Sequence, residues 1–486
     1  MRRLIQRALN TATARGAAYA EARVVELVLE SVSVKNGQLD AVTHRDSLGI
    51  GVRALAEGAW GFASTADLSA GAVDAAAADA VRLARASASV PGRRAQLGPP
   101  VTSRGTYRTP VARDPFAVSL EEKIAPLLEA DERMRAVRGV TTAAGEIVWQ
   151  RERKWFGNSE GADIEQELLE TGCGIEATAT GHGEVQTRSY PNSFRHQACR
   201  GYEFVTALDL PGNAPRVADE AVALLTARPC PRDVTTTVIL GGAQLALQIH
   251  ESCGHPAELD RVYGTELDYA GGSFLTPDAL GRLRFGSELV TIHADATIPG
   301  GLGTFGYDDE GVPAQRAPLV RDGLFVGYLT SREFATHLGV PNIGAARATG
   351  WNRIPLVRMT NVSIEPGPWG LDDLIADTDD GIYMETNRSW SIDDRRLNFH
   401  FGTQIAREVK RGKLGALLRN ASYTGVTPRF WSSMDAVCGR ADYTVWGIPG
   451  CGKGRPSQVA HTGHGAAPAR FRNVRVGVGR PRRPGR

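Results

Sequence analysis

The 486-residue sequence has no long apolar segment, few cysteines and no excess of charge of either sign. A membrane-spanning helix needs about 18 or more consecutive apolar residues, and no stretch of the chain approaches that length. The first ten residues are basic, but they lack the apolar core of a secretory signal. We therefore expect a cytoplasmic protein that has no membrane partner.

The cysteines are widely spaced in a large chain, which excludes a dense disulfide scaffold and favours reduced thiols. The net charge of +2 argues against a dedicated nucleic-acid surface, because such a surface concentrates many basic residues on one face. We therefore expect no nucleic-acid partner. The six cysteines are Cys173, Cys199, Cys230, Cys253, Cys438 and Cys451.

The sequence has the composition of a globular protein, with 42% hydrophobic and 23% charged residues. Its length suggests roughly two to four domains. The order of helix-like and strand-like patterns predicts an α+β fold, in which N-terminal α+β units precede a large mixed or antiparallel, barrel-like β domain. The expected bounds are an N-terminal α+β domain at 1–90, a connector at 91–114, a second α+β domain at 115–226, a β-rich domain at 232–466 and a solvated basic tail at 467–486.

The clearest local signal in the N-terminal part is Asn36-Gly37, which stands between two runs of alternating apolar residues. This dipeptide is typical of a two-residue β-hairpin turn. The Ala-rich segment 72–88 predicts a helix after the hairpin strands.

The main chemical signal is HESCGH at 250–255, with His250, Glu251 and His255. Two histidines with a glutamate after the first are typical of a hydrolytic zinc site, in which the glutamate acts on a water molecule. The spacing of five differs from the usual four, because five steps of about 100° leave the second histidine roughly 140° from the first. Either the helix ends or kinks at Gly254, or one π-type turn brings the two histidines together. Pro256 favours extended backbone at His255, and so supports a helix end there.

Two points stay open from the residues alone. The two histidines could instead satisfy hydrogen bonds in the core, without any metal. A third metal ligand also cannot be chosen, since seven residues are possible and any of them could instead be structural: His293, His400, His461, His464, Glu258, Asp260 and Cys438.

The order of several sequence blocks resembles the TldD/PmbA family nearly from end to end. The blocks are GVR at 51–53, GAWGFA at 58–63, HESCGH at 250–255 followed by Glu258 and Asp260, GYDDEGVPAQR at 306–316, RMTN at 358–361, GIY at 381–383, and PGCGK at 449–453 with Gln458. One departure is Leu259, which stands where relatives commonly have glycine before the aspartate.

The resemblance implies a zinc metallopeptidase that acts on peptides or unfolded segments. Its Zn²⁺ ligands would be His250, His255 and Cys451, and Glu251 would be the general base. It also implies a heterodimer with a metal-free TldE/PmbA-like subunit, with a homodimer as the other possibility. Two alternatives remain at this point: a non-catalytic, gyrase-modulator-like regulatory protein on the same fold, and a zinc amidohydrolase acting on a non-peptide amide.

Two further blocks have two possible roles. Asp308-Asp309-Glu310 and the segment 358–361 could shape a substrate cleft or brace the β domain. We favour the bracing role.

Overall fold

The structure is a computed structural model that describes residues 1–193 and 195–477. Its N-terminal part contains α1 (Arg2–Ala14), β1 (Tyr19–Lys35), β2 (Gln38–Ala56), β3 (Ala59–Thr65), α2 (Ala70–Ala88), β4 (Arg104–Arg108), α3 (Leu120–Arg135), β5 (Val140–Asn158), β6 (Asp163–Gly181), β7 (Glu184–Tyr190), β8 (His196–Ala198), α4 (Glu203–Leu208) and α5 (Leu210–Thr226).

The C-terminal part begins with two strands and a helix that leads into the HESCGH segment. Its elements are β9 (Arg228–Pro229), β10 (Val234–Leu240), α6 (Gly242–Ile249), α7 (Leu259–Val262), β11 (Ile292–Asp295), β12 (Arg316–Arg321), β13 (Leu324–Phe325), α8 (Arg332–Leu338), β14 (Ala346–Arg347), β15 (Leu356–Val357), β16 (Val362–Ile364), α9 (Leu371–Ala376), β17 (Asp380–Ile392), β18 (Asn398–Lys410), β19 (Lys413–Arg419), β20 (Ser422–Val426), α10 (Thr427–Ser432), β21 (Met434–Val437), β22 (Thr444–Lys453), β23 (Gln458–Ala466) and β24 (Ala469–Val476).

One sheet joins the two N-terminal units, with the strand order β3-β2-β1-β5-β6-β4. Strands β1 and β2 form the predicted hairpin, and its turn residues Asn36 and Gly37 both have positive φ, as a two-residue turn of this kind requires. Strand β1 also pairs with β5, from Glu21 to Lys35. The strands of the two predicted α+β units therefore form a single continuous sheet.

The two faces of this sheet have different partners. Alternate apolar residues of β1, from Ala20 to Val34, pack against α1, α2, α3 and α5. The opposite face carries buried charges that pair with the loop 308–310 of the C-terminal part. Arg53 lies 2.8 Å from the carboxylate of Glu310, and Lys154 lies 2.9 Å from that of Asp309. These contacts agree with a bracing role for the 308–310 block, and they place the brace between the two parts of the chain.

The C-terminal part is built around a closed ring of strands. β17, β10, β24, β20 and β18 pair in that order, and β17 also pairs with β18. This ring confirms the prediction of an α+β fold with a barrel-like β domain. Helix α6 and the strands of the ring contribute to the largest buried apolar cluster. The β22–β23 hairpin stands apart from the ring as a two-stranded sheet.

Two segments differ from the sequence expectation. Residues 104–108 of the predicted connector form β4, which pairs in parallel with β6. The predicted basic tail was wrong for its first residues, because Ala469–Val476 forms β24 between β10 and β20. Phe471, Val474 and Val476 are buried. The arginines of this strand form ion pairs, Arg470 and Arg472 with Asp435 and Arg475 with Asp233. The remainder of that predicted tail, at 478–486, lies outside the described residues.

None of the described helices combines the length and the apolar composition needed to span a bilayer.

Candidate metal centre

The HESCGH segment forms a π turn rather than a broken helix. Helix α6 continues into a π turn at His250–Gly254, and a short 3₁₀ turn follows at His255–Ala257. The N–H of His255 donates to the carbonyl of His250, which is the five-residue bond of a π turn. The two imidazole rings consequently lie with their centroids 4.8 Å apart. Of the two geometries that the spacing allows, the π turn is therefore the one observed.

Two neighbouring residues explain the local path of the chain. A Cβ atom on Gly254 would lie 2.0 Å from Sδ of buried Met359, so glycine is needed here for close packing. The expectation that Pro256 ends the helix at His255 was wrong, because His255 has helical dihedrals of φ −58° and ψ −44°. Pro256 instead lies in the first turn of the 3₁₀ segment, where a helix does not need its missing N–H.

Cys451 is the third member of this cluster. The β22–β23 pairing shifts register between Ile448 and Cys451, and the Cys451 Sγ lies 3.5 Å from Nε2 of His255. One ligand atom from each of His250, His255 and Cys451 lies within 4.8 Å of the others, and all three residues are buried. The structure thus brings together the three residues that the family resemblance implies.

The other possible third ligands have different partners or positions. His464 and Glu258 bond to the two histidines, Asp260 bonds to Lys453, His461 pairs with Glu170, His293 pairs with Glu365, His400 lies on β18, and Cys438 packs in a separate apolar cluster.

A hydrogen-bonded relay fixes the orientation of His250. Nδ1 of His464 lies 3.0 Å from the Val362 carbonyl, which can only accept, so this nitrogen must carry the proton. The other His464 nitrogen, Nε2, then accepts from Nδ1 of His250 at 2.8 Å. His250 is therefore protonated on Nδ1, and its Nε2 lone pair is available to a metal.

The buried carboxylate of Glu258 fixes the orientation of His255. Nδ1 of His255 donates to Glu258 at 3.0 Å, which leaves Nε2 on the side of Cys451. Glu258 is in turn contacted by Arg261 at 3.2 Å and by Lys453 at 3.4 Å. Burial alone would raise the pKa of Glu258, but Lys453, His255 and Arg261 together hold that pKa well below its ordinary value. Glu258 is consequently an anion that orients His255.

The protonation states of the cluster suit metal binding. Burial lowers the pKa of His250 to about 4, and burial also lowers the pKa of His255, so both rings are neutral near pH 7. Burial by itself would raise the pKa of the Cys451 thiol, but the positive charge of Arg358 is the largest opposing effect, and the pKa lies below its usual value. The cluster thus offers two neutral imidazoles, each with an Nε2 lone pair, and a thiol that ionises more readily than usual. This set of nitrogen and sulfur donors suits Zn²⁺. The residues present therefore fit the metal.

Glu251 lies beside this cluster and makes one side-chain contact of its own. Its Oε2 accepts from the guanidinium of Arg396 at 2.9 Å. For its other carboxylate oxygen, no hydrogen bond is found within the described ranges 1–193 and 195–477. One oxygen is therefore held, and the other is free to take part in chemistry.

Sequence reasoning missed the roles of three neighbours of the cluster. His464 and Glu258 were expected to be either a third metal ligand or structural residues, not partners that orient the two histidines, and Arg396 was not singled out at all. His464 lies 214 positions from His250, and Arg396 lies 145 positions from Glu251. Nothing local to either pair in the sequence indicates these contacts.

Comparisons with known proteins give consistent matches over most of the chain. Models of the PmbA/TldA metallopeptidase family match residues 20–87 as domain 1, residues 113–228 as the central domain and residues 234–477 as the C-terminal domain.

Curated relatives match over nearly their full length. A metalloprotease of Methanothermobacter thermautotrophicus is 30% identical over 465 residues, which cover 94% of this chain and 95% of the relative. A metalloprotease of Methanocaldococcus jannaschii is 28% identical over 422 residues, which cover 86% of this chain and 89% of the relative. A zinc metalloprotease TldD homolog of Saccharolobus solfataricus matches a shorter part, with 26% identity over 197 residues, which cover 39% of this chain and 41% of that protein.

Solved structures share the fold at lower identity. A candidate modulator of DNA gyrase from Thermotoga maritima has a TM-score of 0.76 and 18% identity, covering 98% of this chain and 99% of that one. TldE from Thermococcus kodakarensis has a TM-score of 0.75 and 17% identity, covering 98% of this chain and 100% of that one. At such identities these two structures show the fold alone.

Proposed function

This chain belongs to the PmbA/TldD family of metallopeptidases, and we propose that it is a zinc-dependent peptidase whose metal is held by His250, His255 and Cys451. The observation that carries the proposal is the convergence of these three buried donors. A hydrogen-bond partner orients each histidine, and a neighbouring charge lowers the pKa of the cysteine. A metalloprotease relative whose name includes zinc supports the choice of metal.

Glu251 is the general base of the proposed reaction. Zinc, when bound, supplies Lewis-acid chemistry that makes water more acidic and stabilises negative charge developing on a carbonyl oxygen. The free carboxylate oxygen of Glu251 takes a proton from the attacking water and delivers it to the nitrogen of the leaving amine. Glu258 and His464 keep the two imidazoles oriented while this proton moves.

The proposed substrates are peptides or unfolded polypeptide segments. The metalloprotease names of full-length relatives support this substrate class. A zinc amidohydrolase acting on a non-peptide amide would use the same residues, so profiling of peptides beside small amides separates the two activities. The six free cysteines, all buried, support a reducing compartment such as the cytoplasm.

The proposed assembly is a heterodimer with a metal-free TldE/PmbA-like subunit, and a homodimer is the second possibility. The fold shared with TldE supports a related partner chain. A stable interface of this kind should bury more than about 1,000 Å². Light scattering of the chain alone and after co-expression with a metal-free homologue tests the assembly.

The proposed mechanism is tested with Glu251→Gln, which keeps the size of the side chain and removes its basicity. We expect the variant to retain its zinc and its fold but to lose at least about 10²-fold in kcat for peptide hydrolysis, because a general base contributes at least that much. Arg411→Gly is a suitable control, since Arg411 lies in the β18–β19 turn and is not part of the metal cluster. A Glu251→Gln variant with full zinc and normal activity would refute the role of Glu251, and a zinc-loaded wild type without hydrolytic activity would favour the regulatory alternative.

A further inference from the structure

Arg396 occupies a turn position that normally suits glycine. It lies in the connection between β17 and β18, where its N–H donates to the carbonyl of Asp393 at 2.9 Å and closes a β-turn. Its φ of +62° lies in the left-handed region. A residue other than glycine, asparagine or aspartate is uncommon there, because its side chain crowds the backbone in this conformation.

The turn itself is well fixed around this residue. The carboxylate of Asp393 accepts from the N–H groups of Leu397 and Asn398 at 2.8 and 3.1 Å. The Arg396 carbonyl accepts from the hydroxyl of Thr427 at 3.0 Å. The left-handed conformation is therefore imposed by the turn, and a glycine would satisfy every one of these main-chain contacts.

The side chain points from this turn into the proposed active site. The Arg396 side chain is only 14% exposed, and one terminal nitrogen donates to Oε2 of Glu251 at 2.9 Å. The other terminal nitrogen donates to the carbonyl of Ala270 at 3.1 Å, while Nε is buried and has no partner in the described part of the chain. The guanidinium is thus anchored on one side by the main chain and on the other by Glu251.

We propose that Arg396 is a positioning residue that holds Glu251 in the orientation required of the general base. This inference rests on the proposed function. A glutamate side chain has three rotatable bonds, and the charge-assisted bond to Arg396 restricts them while fixing Oε2. The free oxygen is then the one that accepts the proton of water and passes it to the amine. The guanidinium stays protonated throughout, so it directs the transfer without taking part in it.

The contact with Glu251 explains why arginine stands at a position that suits glycine. The main chain of the turn has no need of a large side chain, whereas Glu251 has no other side-chain partner among residues 1–193 and 195–477. Arg411 provides the contrast. It too has a left-handed φ, of +51°, but its side chain makes no hydrogen bond in the described structure, and its turn lies at the other end of β18.

The test compares Arg396→Gly with Arg411→Gly, since both replace a left-handed arginine by the residue that suits the backbone. We expect Arg396→Gly to lower kcat by about 10- to 100-fold, because misplacing a catalytic group by about 1 Å has effects of that size. KM should change by less than about threefold, and the zinc content should stay that of the wild type. Arg411→Gly should leave all three quantities unchanged. Arg396→Lys, which keeps the charge, should recover part of the lost kcat.

Two additional measurements separate this inference from the proposed function. In a Glu251→Gln background, Arg396→Gly should cause no further loss of kcat, and the affinity for an uncleaved peptide should be the same with and without Arg396. A tenfold loss of peptide affinity would show that Arg396 binds substrate and would overturn the positioning role. A faster Arg396→Gly enzyme would also overturn it, because the ion pair would then restrain the base. If Glu251→Gln alone retains full activity, the proposed function fails first, whatever Arg396 does.

Discussion

The hydrogen bond from His250 to His464 gives a prediction that does not depend on catalysis. His464→Ala removes the acceptor of the buried His250 Nδ1–H, which has only the more distant Thr462 hydroxyl, at 3.4 Å, as a replacement. His250 can then adopt the other tautomer, in which the proton sits on Nε2 and blocks the metal lone pair. We expect the affinity for zinc to fall by about 10- to 100-fold, or about 1.4–2.7 kcal/mol, as for the loss of other partners of metal-binding histidines.

The affinity can be measured by competition with a chromogenic chelator on metal-free protein. His464→Gln should bind zinc more tightly than His464→Ala, because an amide oxygen can accept from Nδ1 of His250. His293→Ala is the matched control, since His293 pairs with Glu365 on the four-stranded sheet and not with the cluster. A zinc affinity of His464→Ala within twofold of the wild type, in protein with unchanged circular dichroism, would refute the relay.

Two further predictions concern folding. Gly254→Ala should destabilise the chain by about 1–3 kcal/mol, because its Cβ would lie 2.0 Å from Sδ of Met359. Gly450→Ala is the control, since its Cβ meets open space and should change stability by less than about 0.5 kcal/mol. Thermal melts of both variants check this, and equal melting temperatures would contradict it. Burial lowers the pKa of His196 to about 4, below its ordinary value of about 6.5, so the unfolded chain binds the additional proton between these two values. The stability that His196 contributes is complete above about pH 6.5 and falls by about 3 kcal/mol as the pH drops to about 4. Melts of metal-free His196→Gln should therefore show a weaker pH dependence in that window than melts of the metal-free wild type. Parallel curves for the two proteins would refute the assignment.

The sequence predicted those features that depend on residues close together in the chain. The five-residue spacing of His250 and His255 restricts the backbone to a few geometries, and the π turn is one of the two that we considered. Asn36 and Gly37 determine their hairpin turn in the same way, because only a few residue types accept positive φ. Pro256 is the exception, since the first turn of a 3₁₀ helix tolerates proline as readily as an extended segment does.

Features that depend on distant residues could not be predicted from local patterns. His464 lies 214 positions from His250, and Cys451 lies 196 positions from His255, so only the packing of the β22–β23 hairpin against α6 brings them together. Cys451 was expected solely from the family resemblance. The arginines of β24 were misread for the same reason, because they look like a solvated tail until Asp435 on β21 and Asp233 are placed beside them.

The measurement that tests the central claim most directly is the metal content of purified wild type, Cys451→Ala and Glu251→Gln. The proposed ligand set predicts about one zinc per chain in the wild type and in Glu251→Gln, because a general base need not bind metal. Cys451→Ala should lose most of its zinc, since two imidazoles alone form an incomplete site. Full zinc in Cys451→Ala would contradict the proposed metal centre.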